Sequence, residues 1–235
     1  MRILKYKEFG EKLDIKPADL DKISEYKYFP KTKEELKGII RKRLREEGND
    51  CDLNDISTIA ITDMSKLFCN MPVFNGNISR WNTSNVTDMR NMFYGAKQFN
   101  RDIGEWNVSN VVSMSNMFDG ASAFNQDIGK WNTSDVRSMN YMFREASRFD
   151  RDISGWDVSN VTNMSGMFND AKKFNQDISG WDVSEVTNMR GMFDGAAKFD
   201  QNLSSWDVSK VMITDDIFKD NPMRYQYKKQ PNFNK

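Results

Sequence analysis

Asp102, Asp127, Asp152 and Asp177 recur every 25 residues, with Asn77 and Asn202 in step at either end. Were successive turns of chain to stack at the ~4.8 Å spacing of neighbouring strands, these side chains would form a carboxylate ridge, a surface suited to a hard cation. Neighbouring columns point to another use. In Asn82, Asn107, Asn132, Asp157, Asp182 and Asp207, and again in Asn75, Asn100, Asn125, Asp150, Asn175 and Asp200, amide and carboxylate exchange freely. A hard cation depends on ligand charge, whereas an Asx turn or a helix cap needs one acceptor oxygen, which either side chain supplies. We therefore expect no metal site and no cofactor. The column Ser84, Ser109, Ser134, Ser159, Ser184 and Ser209 has the same capping explanation, with no base beside it to activate a hydroxyl.

The composition removes further chemistry. The 235 residues contain no His, which excludes Ser-His-Asp and Cys-His nucleophiles, imidazole bases and His-containing zinc sites. Two Cys, Cys51 and Cys69, make neither a disulfide framework nor a four-Cys metal site, and we expect them to be incidental reduced thiols. Lys+Arg and Asp+Glu both number 34, and carboxylates outnumber bases between 53 and 218, so the array should repel a phosphate backbone. Carboxylate pairs that recur in every turn do not mark a single reaction centre, and an enzyme is not expected.

The elements that must position these columns follow from the period. The six Trp fall at Trp81, Trp106, Trp131, Trp156, Trp181 and Trp206, always 25 apart, and Phe93 to Phe193, Phe99 to Phe199 and Met89 to Met189 keep the same step. Ile56, Leu53 and Phe218 extend the register to an array over 53–218. Within one unit Met189, Met192, Phe193 and Ala196 fall at i, i+3, i+4 and i+7, which predicts a short helix capped by Thr187 or Ser184. Ile178, Trp181 and Val183 predict a very short strand with Trp and Val inward. That places the Trp column in the core, with each indole N–H bonded locally, and not on a stacking platform for sugars or bases. No unit of this size buries its apolar side alone, so neighbours must stack around a shared core.

The string F-N-x-D-I-S-x-W-D-V-S-x-V-T-x-M-x-x-M-F, clearest from Phe174 to Phe193, resembles the BspA-like leucine-rich-repeat variant, a domain of unknown function, over roughly seventy per cent of the chain. The resemblance implies an α/β solenoid, leucine-rich-repeat-like, with short parallel strands on one side and short helices on the other. It also implies binding to proteins, as family members are often surface proteins that bind those of a host.

Function is expected where the repeats vary. Tyr94, Asp119 and Arg144 share one column, Arg148, Lys173 and Lys198 a second, and Arg80, Glu105 and Lys130 a third. A fixed core with a variable exterior suits protein recognition over an extended face. The chain therefore reads as a non-catalytic scaffold for a protein partner. The alternative is a structural or docking component of a larger particle, such as a phage, for which the Tyr6 to Leu13 opening carries a weak resemblance. The flanks divide into an arm over 1–30, a helical cap over 31–52 with Thr32 as N-cap and Gly48 as stop, and a basic, aromatic tail over 219–235. Charged residues from Arg2 to Lys12 interrupt any signal-peptide core and no apolar run reaches ~18 residues, so no membrane span is expected. The expected location is cytoplasmic or within a particle.

Overall fold

The computed structural model describes residues 25–233; the expected arm's Tyr6, Phe9, Leu13, Ile15, Leu20 and Ile23 lie outside the described residues. Helix α1 spans Lys33–Glu47. Thr32 Oγ1 accepts the Glu35 N–H at 3.2 Å, and the Glu35 carboxylate accepts the Lys31 N–H at 2.7 Å. The chain leaves the helix at Gly48, φ 88°, a region that a side chain disfavours. Leu36 and Ile40 are fully buried in the same cluster as Leu53 and Ile56. Arg43 fixes the helix laterally, donating to Asp55 Oδ1 at 2.7 Å and to the Asp52 carbonyl at 2.8 Å.

From Leu53 onward the chain winds in 25-residue coils that begin at Leu53, Ile78, Ile103, Ile128, Ile153, Ile178 and Leu203. Each coil is a succession of tight turns. In coil 128–152 the N–H groups of Trp131, Val136, Met142, Arg144, Ala146 and Phe149 each donate to the carbonyl three residues earlier, at 2.9–3.2 Å. The N–H groups lying between them reach the next coil: Met139 donates to Asn163 O, Tyr141 to Ser165 O, Phe143 to Met167 O and Glu145 to Asn169 O, at 2.8–3.0 Å. Alternate peptides thus close a local turn or join neighbouring coils, and the backbone polar groups of this buried segment find partners.

This arrangement overturns the expected α/β architecture. Among the described residues α1 is the only α-helix and lies outside the repeats, and the coils meet through single parallel bridges, Asp63 to Asp88 to Ser113 to Ser138 to Asn163 to Asn188 to Ile213, with no strand and no sheet. The segment expected to be helical holds two left-handed residues per coil. One set is Asn91, Asn116, Tyr141, Gly166 and Gly191, the other Gly95, Gly120, Glu145, Asp170 and Gly195, with φ between 54° and 71°. A right-handed helix requires φ near −63°, so each of these residues ends it after a single turn. Apolar residues at i, i+3, i+4 and i+7 face inward from consecutive three-residue turns as they would from a helix. Thr187, expected as a cap, instead donates its hydroxyl to Thr162 O in the preceding coil at 3.1 Å. The Ile-x-x-Trp segment expected as a strand is a turn, with the Trp181 N–H donating to Ile178 O.

The core is a set of aromatic ladders. Phe68, Phe93, Phe118, Phe143, Phe168, Phe193 and Phe218 stack with centroids 5.5–5.7 Å apart. Each of the first six also lies 3.9–4.1 Å from the second Phe of its own coil. The Trp are at most 5% exposed, and each indole Nε1 donates to the carbonyl 28 residues upstream, as Trp131 does to Ile103 O at 3.1 Å. At the far end Asn221 caps a 3-10 turn, Pro222–Tyr225, and donates its amide to Ala196 O. The tail then crosses one half of the last coil, where Met223 is buried, Phe233 packs on the core and Leu203 N–H donates to Lys229 O at 2.7 Å.

Both space and conformation demand glycine at Gly166, and neither does at Gly180. A Cβ at Gly166, φ 59°, would stand 2.3 Å from the Tyr141 ring, whereas one at Gly180 meets nothing within 4 Å. Gly166→Ala should therefore cost about 1–3 kcal/mol in chemical denaturation. Gly180→Ala should stay within about 0.5 kcal/mol of the parent.

Candidate functional site

The polar columns are committed to the backbone. Asp102, Asp127, Asp152 and Asp177 accept the N–H two residues on, at 2.9–3.1 Å, and Asn77 and Asn202 do the same in their coils. The Asn82 to Asp207 column closes equivalent Asx turns on Ser84, Ser109, Ser134, Ser159, Ser184 and Ser209. The Ser154 and Ser179 N–H groups hold the Asp152 and Asp177 carboxyls below their ordinary values, as the Ser184 hydroxyl does for Asp182. The third column differs from expectation: Asn75, Asn100, Asn125, Asp150 and Asn175 accept not locally but from the backbone N–H one coil later, at 2.9–3.0 Å. An acceptor there meets a donor 25 residues away because equivalent residues of adjacent coils lie side by side.

A further stacking column escaped the sequence reading. Arg101, Gln126, Arg151 and Gln201 reach back to the carbonyls of Asn75, Asn100, Asn125 and Asn175 at 2.7–2.9 Å. Its signal was present, since positions 101, 126, 151, 176 and 201 hold only Arg and Gln, long side chains that end in planar N–H donors. Among the described residues no group of three or more His, Cys, Asp and Glu side chains could hold a metal ion. With the Asp oxygens engaged in turns, millimolar calcium should leave the melting temperature unchanged, where a bound ion would raise it by mass action.

The variable columns lie at the outer corners of three different turns. Arg80, Glu105 and Lys130 are exposed. Arg80 pairs with Glu25 at 3.0 Å, and Lys130 stands 3.9 Å from Glu105. Arg80 and Glu105 also line a groove of about 650 Å³, walled by Tyr26 and Asp102, which the sequence did not announce. Arg148, Lys173 and Lys198 are exposed on successive coils and form no ion pair among the described residues. Tyr94 is half-buried. Asp119 is buried and is not available as a contact residue.

Asp119 instead anchors Arg144, whose Nε donates to Oδ1 at 2.9 Å while the guanidinium lies over the Tyr141 ring at 5.1 Å. Oδ2 lies 2.8 Å from Arg144 Nη2 but accepts no aligned hydrogen bond. Burial pushes the Asp119 carboxyl above its ordinary value, against the opposing pull of Arg144 and with a smaller push from Glu145. A raised carboxyl pKa means that the folded state holds the proton more tightly, so stability is lost as pH rises through the folded pKa and recovered on acidification towards the unfolded one. Asp119→Asn keeps an acceptor for Arg144 and should be at least as stable as the parent at pH 7. Denaturant titrations should show that advantage shrinking as the pH falls to 4.

Taken together, the side chains define a repeat array whose regular polar groups hold coils together and whose irregular ones face outward. The chain belongs to the family described as "Mycoplasma protein of unknown function, DUF285", whose model matches residues 36–153 and 124–230. Comparison with curated proteins and with solved structures gave no match.

Proposed function

We propose that the chain is a non-catalytic protein-binding scaffold that recognises an acidic partner surface through the turn carrying Arg148, Lys173 and Lys198. The observation that carries this reading is the placement of three cations at one corner of three consecutive coils, none of them in an ion pair among the described residues. Stacked like charges destabilise the chain that holds them, and the cost is offset when an acidic surface docks. The commitment of the Asp, Asn and Ser columns to hydrogen bonds with the backbone supports a binding role over catalysis, and the BspA-like resemblance points the same way. The net acidity of 53–218 favours a protein over a nucleic acid. No described helix is long and apolar enough to cross a membrane; we propose a cytoplasmic or particle-bound location. The particle-component reading rests on residues 6–13, outside the described residues, and gains nothing from the coils.

Charge reversal tests the binding face. Arg148→Glu/Lys173→Glu/Lys198→Glu should fold as the parent does and lose at least about 90% of the partner captured from native lysate, with capture by the parent falling as salt rises. Arg80→Ala/Glu105→Ala/Lys130→Ala should retain it. Equal capture by the charge-reversed and parent proteins would reject this face.

A further inference from the structure

Over the segment that starts at Met64 the hydrogen bonds joining the coils point one way, whereas the flanking columns, from Thr87 to Thr62 O through Met212 to Thr187 O and from Gln98 to Pro72 O, point the other. In four columns the N–H of one coil donates to a carbonyl of the next. The first runs from Met64 to Asp88 O through Met189 to Ile213 O, and the others end with Gly191 donating to Asp215 O, Phe193 to Ile217 O and Gly195 to Lys219 O. The peptide dipoles of each column therefore add, as they do in a helix. Over this segment one end of the array presents carbonyls, from Asp63, Ser65, Leu67 and Cys69, and the other presents N–H groups, from Thr214, Asp216, Phe218 and Asp220. None of these eight groups finds a backbone or side-chain hydrogen-bond partner among the described residues.

The two ends are treated differently. Helix α1 lies along the carbonyl end, where the Lys33 ammonium bonds the Asp63 carboxylate at 2.9 Å and the Ser65 hydroxyl at 2.6 Å, and where Lys37 is close enough to act on the Cys69 thiol. Cations at the negative end of aligned dipoles are stabilising. The tail at the N–H end covers the Leu203 half of the coil and leaves the other half open. Met212 is 78% exposed and Ile213 41%. A recess of about 480 Å³ separates Thr214, Asp216, Ile217 and Phe218 from Arg224 and Phe233.

We propose that this open edge docks the first coil of another chain that carries the same 25-residue repeat. The run of four donors over 214–220 selects the occupant. An ordinary extended strand offers N–H and C=O groups alternately along each edge, so half of its groups would go unpaired here. Over the matching segment a coil of the present type offers carbonyls alone, at the same two-residue spacing, and brings Met and Phe side chains for the exposed Met212, Ile213 and the recess. A symmetric pair of copies would set donors against donors, and α1 covers the carbonyl edge of a second copy, so the partner is a repeat chain whose first coil is uncovered.

Hydrogen exchange on the full chain provides the test, with a synthetic peptide of residues 161–185 as the probe, since its Asn163, Ser165, Met167 and Asn169 carbonyls are acceptors within the array. Alone, the chain should be monomeric in sedimentation, and the Thr214, Asp216, Phe218 and Asp220 amides should exchange at least about a hundredfold faster than those of Met189, Gly191, Phe193 and Gly195. Millimolar peptide should slow those four amides about tenfold or more, and a scrambled peptide should not. Equal protection of the two sets in the free chain would show the edge closed and overturn the proposal. So would unchanged exchange with the peptide, or equal slowing by the scrambled one. Self-association that protects the same four amides would assign the edge to a second copy and reject the stated partner. Charge reversal at Arg148, Lys173 and Lys198 should leave peptide protection unchanged, which separates this result from failure of the proposed binding face.

Discussion

The alternation of peptide hydrogen bonds, one closing a local turn and the next reaching the following coil, is the constraint on which the rest of the structure depends. It satisfies the backbone at the centre of the stack without helix or sheet. Two of the residues in each coil whose N–H reaches across also bend the chain, and Asn, Gly and Asp serve at most of these positions in left-handed conformations. Tyr141 takes the same conformation with a bulky side chain, and Gly166 in the next coil leaves room for its ring.

Stacking then dictates what each side chain can do. Inward positions repeat at coil spacing, so flat rings fill them well: Phe on Phe along two ladders, and Trp with its N–H tied to the preceding coil. Outward polar positions are absorbed almost as thoroughly. Asp and Asn close the turns, the Asn75 to Asn175 column binds the next coil, and Arg and Gln one position on bind the previous one. What remains free to vary is a few turn corners, where the unpaired cations Arg148, Lys173 and Lys198 lie. The restriction explains why so regular a molecule leaves little surface for recognition.

The period, the core and the identity of the polar acceptors were legible in the sequence because each is a property of a column. Trp at 25-residue intervals among Ile and Val can be satisfied only by a stack, and free exchange of Asn with Asp signals an acceptor oxygen and not a charge. The cap was equally legible, since Thr32, the apolar stripe from Leu36 to Leu44 and Gly48 are local signals that act within one helix. Local signals of this kind are read from neighbours in sequence.

The backbone between the columns was decided by the tertiary structure. Met189, Met192, Phe193 and Ala196 have the spacing of a helical face, and the same spacing serves a row of three-residue turns. Whether Phe193 N–H donates within its own helix or to Ile217 O depends on a carbonyl 24 residues away, which stands in reach only once the coils have stacked. The same holds for the Asn75 column, where one acceptor could bind locally or across coils, and for Asp119, whose burial beneath Arg144 follows from how two neighbouring coils meet. Sequence by itself determined which residues go inside and how often the pattern recurs. Which hydrogen bonds the backbone makes, and hence that the coils are built from turns in place of helices and strands, was settled by contacts that no local stretch of sequence contains.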